Sequence, residues 1–239
     1  SYYSNERQTI GTGTKVGVPS NINYDLWQGP APRRDYVSNL VHYNWHWRWH
    51  WGNGELGNNG VHALDVCRWG LEVDYPISVV SSGGRYRYSD DQETPDTHIV
   101  GFEFAEGKSI AWQGHSCNRH NHGFVTFYGE TGTLAIGGGG DYTIYDHKDK
   151  IVKQVKPTTR GDAEHIDNFV SAIRDEKPMS LNAEIETGYK STLLCLLGNI
   201  AHRTGRTLHC DSSDGQIQNE PGAMKQWTRG YGKGWEPRV

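Results

Sequence analysis

The sequence is poor in residues that cross-link, attract polyanions or span a membrane. Its four cysteines among 239 residues, Cys67, Cys117, Cys195 and Cys210, stand far apart with no CxxC pair. That spacing excludes a disulfide scaffold and a paired-cysteine zinc site, and leaves the redox state of the thiols open. Lysine and arginine (24) are outnumbered by aspartate and glutamate (28), for a formal charge of −4. With no basic field to meet a phosphate backbone, nucleic-acid binding is not expected. No apolar run approaches the roughly 18 residues of a membrane helix, so no membrane association is expected. There is no secretory signal, and the compartment stays open between cytoplasm and periplasm. Hydrophobic residues reach only 35%.

Glycine (30 residues) and aromatics (11%) are abundant instead, as expected of a soluble, loop-rich chain with aromatic-lined surface. The length suits one large domain or two small ones. Five of the nine tryptophans and four of the twelve histidines fall in the thirty residues VHYNWHWRWHWGNGELGNNGVHALDVCRWG, 41–70. The second half of this stretch predicts a helix from about Asn59 to Trp69, with Asn58 or Asn59 as N-cap and Gly70 as stop. Val61, Leu64 and Cys67 share one face of it; Asn58, His62, Asp65 and Trp69 share another. A histidine near a helix N-terminus, one turn past a polar residue, suits proton exchange with a bound hydroxyl, because the positive dipole end disfavours imidazolium. His62 is therefore the candidate proton-transfer residue. By pattern alone such a histidine is more often a hydrogen-bonded core residue than a catalyst, and Asp65 also fits a structural partner of a backbone N–H or an arginine.

Along the rest of the chain, SYYSNER at the N-terminus reads as a strand begun partway. The GTGT of 11–14 lacks the third glycine, preceding strand and following helix of a dinucleotide fingerprint. Pro30 and Pro32 predict an ordered loop carrying Tyr24, Trp27 and Tyr36. From Ile77 to Val155, short runs rich in β-formers alternate with SSGG, EGK, GETG and GGGGD turns, as expected of six or seven antiparallel strands. Two amphipathic helices follow, 162–175 and 183–203, which should pack on the covered sheet face. Thr207 to Cys210 reads as a last strand, and the aromatic tail with Trp227, Tyr231 and Trp235 reads as docked. The fold class expected is α+β: an open, mostly antiparallel sheet of about six to eight strands with helices on one face.

WQGPAPRR (27–34), the GELGNNGVHALD run (54–65), YGETGTLAI and the closing NFVSAIRDEKP and LLCLLGNIAHRTGRTL segments together resemble the C-terminal domain of the Gfo/Idh/MocA oxidoreductases. The resemblance runs over nearly all of 1–239. It implies a substrate-binding and dimerisation domain whose partner, an N-terminal Rossmann domain absent from this chain, binds NAD or NADP and supplies a catalytic lysine from an E-K-P motif. No cofactor-binding residue is expected here. Glu176-Lys177-Pro178 spells the same letters after a late helix and reads as a decoy, with Lys177 a solvated turn residue.

The resemblance aligns His62 with the residue that exchanges the hydroxyl proton during hydride transfer, and places Asn58 where the family commonly has aspartate. An amide orients a hydroxyl but cannot hold a proton. Trp45, His46, Trp47, Arg48 and Trp49, with Asp65, are the candidate substrate contacts, since indoles stack on the C–H faces of sugars while polar groups fix the hydroxyls. The expected partners are a small carbohydrate and, through the open sheet face, a second copy of the chain. Two other readings are a free-standing carbohydrate-binding or assembly module and a metal-assisted hydrolase or lyase. The latter would rest on His42, His46 and His50 or on HSCNRHNH (115–122), neither with a recognised ligand spacing, so no metal is expected.

Overall fold

Alternation of apolar and small or polar residues builds the centre of the molecule. In a computed structural model, which describes residues 1–120, 122–159, 161–176 and 180–237, strands β3 (Thr97–Glu103) and β4 (Ser109–His115) pair antiparallel with Val100 opposite Trp112 and Phe102 opposite Ile110. Those four side chains are buried, while Ile99, Glu103, Ser109 and Ala111 point to the other, open face. Strands β1 (Tyr2–Glu6), β2 (Ser78–Gly84), β5 (Cys117–Asn118), β10 (Leu208–Cys210) and β11 (Ile217–Gln218) complete a seven-stranded sheet. Its order is β11-β10-β2-β3-β4-β1-β5, and β1 runs parallel to β4, the one exception to antiparallel pairing. The fold class read from the sequence is thus the one observed.

A second sheet was not distinguished in the sequence. Strands β6 (Val125–Gly129), β7 (Gly132–Ile136), β8 (Tyr142–Tyr145) and β9 (Ile151–Val155) form a separate antiparallel meander. The SSGG-to-GGGGD punctuation marks hairpins equally well in one sheet or two. Near the N-terminus, the segment before Pro30 forms a short helix, α1 (Tyr24–Gln28), capped by Asn23, rather than a loop throughout. Tyr24 stacks on Trp27 and meets Tyr36 edge-on, seeding a small second core around Leu40.

The central helix starts earlier than expected. Residues 54–71 are continuously helical, as a π turn at Leu56–Gly60 running into helix α2 (Val61–Leu71). Asn58 and Asn59 therefore lie inside the helix and cap nothing. Nor does Gly70 end it: the stop is Glu72, in the left-handed conformation (φ 53°, ψ 52°) with its N–H donating to the Arg68 and Trp69 carbonyls. Gly70 is small for another reason, since a Cβ there would lie 2.5 Å from the Phe127 ring.

Helix α4 (Ile185–Thr204) lays Leu193, Leu194 and Leu197 on the covered face of the large sheet, beside Leu64 and Cys67 of α2. Helix α3 (Asp162–Arg174) does not join it. Its stripe of Ile166, Phe169 and Ile173 is exposed, so an amphipathic period established the helix without establishing what it covers. All four cysteines are unpaired, and no described helix is long and apolar enough to cross a membrane.

Candidate active site

The head of the broken helix is organised by a carboxylate that sequence reading passed over. Glu55, 3% exposed, receives Arg7 Nε and Nη2, each at 3.1 Å, together with Ser116 Oγ at 3.2 Å. It also accepts from the side-chain amides of Asn58, at 3.3 Å, and Asn59. A π turn carries more residues per turn than an α-helix and recurs at functional sites; here it brings both asparagines over one carboxylate. Gly60 closes that turn against the indole of Trp112, which a Cβ would approach to 3.0 Å. The two oxygens of Glu55 thus meet four donor side chains, the satisfaction a buried carboxylate requires.

Arg7 is fixed from several directions. It follows β1, its backbone N–H donates to the Ser116 carbonyl, and its guanidinium donates to the Tyr43 and Tyr3 hydroxyls at 3.0 and 3.2 Å. The rings of Trp47 and Tyr43 lie 5.1 and 5.6 Å from its Cζ. Burial works to lower the Arg7 pKa, but the hydrogen bonds and charge of Glu55 outweigh it and hold the guanidinium protonated beyond the ordinary arginine range. Burial, and then the Glu55 charge, raise the Tyr3 phenol.

His62 lies one turn beyond Asn58 on the helix and is exposed. Because the helix begins at residue 54, His62 stands about two turns in, and the field of a helix terminus falls off within the first turn. The dipole effect expected from the sequence does not act on it. What the helix supplies is a row, Glu55, Asn58 and His62, in which a buried carboxylate orients the amide and the imidazole faces outward. Asp65 is placed differently. Its Oδ1 accepts from Ser191 Oγ at 2.5 Å, and that hydroxyl accepts from Arg68 Nε at 3.1 Å. Arg68 also donates to the Val73 carbonyl and Asp74, and Lys190 pairs with Asp74. This network, buried at Arg68 and Ser191 and exposed at Asp74, clamps α2 to α4.

The other predicted contacts do not form one cluster. Trp47 is buried beside Arg7. His46 donates from Nδ1 to the Tyr43 carbonyl and stacks with Trp45 at 3.8 Å between ring centroids, while Trp45 packs on the small second core. Arg48 donates to Asp91 and Asn39 at 2.8 and 2.9 Å, an ion pair of the kind long side chains commonly make. Trp49 turns away to the α4 side, where Arg203 covers its ring. Only Trp47, with His46 through Tyr43, reaches the Glu55 cage.

Glu55 was findable in outline: it precedes Asn58 by three residues, hydrogen-bonding distance on a helix. Its ion partner, 48 residues away, was not. Among the described residues no group of three or more His, Cys, Asp or Glu side chains is arranged to hold a metal. Lys177 lies outside the described residues. The GTGT segment does not fit a dinucleotide: it is a loop tied to the Asn39 side chain, and no helix opens directly after it.

An open, largely antiparallel sheet with two helices on one face and a glycine-punctuated helix head carrying His62 defines the class of an oxidoreductase C-terminal α/β domain. The chain belongs to the Gfo/Idh/MocA family: the family's model, described as "Oxidoreductase family, C-terminal alpha/beta domain", matches residues 9–236. No curated protein matches the sequence. Among solved structures it is similar to yvaA from Bacillus subtilis, a protein assigned as an oxidoreductase, with 14% identity, a TM-score of 0.57, and coverage of 88% of this chain and 57% of that one. It is likewise similar to an NAD-binding protein from Listeria innocua (17% identity, TM-score 0.52, 87% and 53% covered). A third is assigned as an NADPH-dependent oxidoreductase, from Desulfitobacterium hafniense (15%, 0.54, 70% and 51%). At these identities the likeness is one of fold. The chain spans just over half the length of each of these structures.

Proposed function

We propose that this chain is the substrate domain of an NAD- or NADP-dependent oxidoreductase acting on a sugar or polyol, with His62 as the group that takes or gives the hydroxyl proton. The observation that carries this reading is the row Glu55, Asn58, His62, a buried carboxylate fixing an amide one turn below an exposed imidazole. Glu55 and Arg7 hold the helix head, Asn58 orients the substrate hydroxyl, and Asp65 positions the helix through Ser191 and Arg68. Family membership supports the nicotinamide, which accepts or supplies the hydride when bound by a separate Rossmann domain. This chain's own share is proton exchange, orientation and the exclusion of water. Trp47, His46 and Tyr43 flank that end of the site. The open face of the large sheet, with Val80, Ile99 and Ala111 exposed, is proposed as the surface where two copies meet.

The test uses the full coding sequence, with kcat/KM measured for NAD+ and NADP+ against a panel of sugars and polyols. His62→Ala is expected to lower kcat by about 10²- to 10⁴-fold, the usual contribution of a general acid or base, with KM little changed. Wild-type turnover in the His62→Ala protein, in an enzyme that oxidises a sugar, would remove His62 from the mechanism.

A further inference from the structure

A second cleft lies on the α4 side of the molecule, lined by neither Asn58 nor His62. It runs between Trp49 to Asn53, the outer face of α4 and the docked tail around Trp227 to Tyr231, and encloses about 640 Å³. That is the size of a cleft that takes a small ligand. Two properties distinguish it.

The first is its rings. Trp49, Trp51, Trp227 and Tyr231 all border it, aromatic side chains of the type on which the C–H faces of a pyranose stack. The second is its charge. Arg203, Lys225 and Arg229 line it and no aspartate or glutamate does. Among the described residues, none of these three cations has a carboxylate within salt-bridge distance. The Arg203 guanidinium lies 5.1 Å from the Trp49 ring centroid and the Arg229 guanidinium 6.0 Å from that of Tyr231, so each cation stands beside a stacking surface.

We infer that this cleft binds an acidic pyranose, a uronate residue whose ring faces lie on the tryptophans and whose carboxylate pairs with Arg203 and Arg229. Guanidinium meets carboxylate through two parallel hydrogen bonds, which a neutral sugar does not offer.

The test is calorimetric titration of the intact protein, without nicotinamide, with D-glucuronate, D-galacturonate and a galacturonate disaccharide, each beside its neutral counterpart. Intrinsic tryptophan fluorescence gives a second signal. At least one uronate is expected to bind at least tenfold more tightly than its neutral counterpart, and to weaken as salt is raised. The double variant Arg203→Gln/Arg229→Gln, on exposed side chains that leave the core intact, is expected to lose at least tenfold in affinity and the salt dependence with it. Trp227→Ala should abolish the fluorescence change. No heat with any uronate, equal affinity for neutral and acidic sugars, or undiminished binding by the double arginine variant would each overturn the inference. Because the readout is binding without redox turnover, a full-length protein that oxidises no sugar would refute the role of His62 and leave this result standing.

Discussion

Glu55→Ala is the substitution that most directly tests how the helix head is built. It removes the acceptor for Arg7, Asn58, Asn59 and Ser116 together. Breaking a buried ion pair by deleting one partner costs about 3–5 kcal/mol, largely because the other charge is left uncompensated. Here the lower end applies. The Arg7 side chain is 22% exposed and keeps its phenol hydrogen bonds and its place against Trp47, so about 3 kcal/mol is expected. In a chain of this length each kcal/mol moves Tm by about 2–4 °C, which makes the shift about 6–12 °C. Urea unfolding followed by tryptophan fluorescence, with the m-value checked for constancy, measures it. Glu55→Gln keeps the volume and one acceptor and should lose about half as much. Combining Glu55→Ala with Arg7→Met removes the orphaned charge, and the double variant should be less destabilised than the sum of the singles. A loss under about 1 kcal/mol for Glu55→Ala, or strict additivity with Arg7→Met, would show that the cage does not hold the helix head.

Three further outcomes are expected. Burial pushes the His98 imidazole down to about 3, with the neighbouring His202 adding to the effect; the unfolded chain takes up its proton near pH 6.5 and the native state does not. Stability is therefore unaffected by His98 above that pH and falls as pH drops from about 6.5 towards 3, by about 2 kcal/mol at pH 5; urea midpoints at pH 7 and 5 should converge in His98→Asn, and an unchanged pH slope would contradict this. Gly198→Ala places a Cβ 2.8 Å from Leu56 Cδ2 and 3.0 Å from Val100 Cγ1, inside the core; overpacking of about 1–3 kcal/mol outweighs the roughly 1 kcal/mol of helix propensity gained, so calorimetry should show a lower Tm, not a higher one. For the dimer proposed on the open sheet face, Ile99→Lys is expected to give a monomer in light scattering with secondary structure intact, and an unchanged mass would argue against self-association through that face.

The sequence made the large sheet legible because its strands alternate: Val100, Phe102, Ile110 and Trp112 fall every second residue, and the turns between them are marked by glycine. The docking of the tail was legible in part: Trp227 packs on the main core, whereas Tyr231 and Trp235 stay exposed. The helix head was misread because asparagine after glycine is the ordinary signature of an N-cap. Nothing local announces that Glu55, one turn upstream, already belongs to a π turn and claims both amides. Helix α3 shows the opposite failure. Its apolar period is real, yet period reports a face and not its partner. Arg7 was invisible as a site residue, because its place beside Glu55 depends on a parallel pairing of β1 with β4 that no spacing rule predicts. The substrate contacts proposed from the tryptophan-histidine run were dispersed for a related reason. A 3₁₀ turn at Asn44–Trp47 sends successive rings in different directions, where a strand or helix would have aligned them.

The position of β1 between β4 and β5 sets an order of events for a chain made from its N-terminus. Tyr2 pairs with Gln113, and Ser116 closes on both Arg7 and Glu55, so the first strand waits for more than a hundred residues of synthesis. At about 5–20 residues per second that delay is on the order of 5–20 s. During it the Arg7–Glu55 contact, 48 residues apart, is the longest-range part of the cage within reach, while the sheet that will bury it is unfinished. The head of the helix is completed late, when Ser116 arrives to close the cage around Glu55.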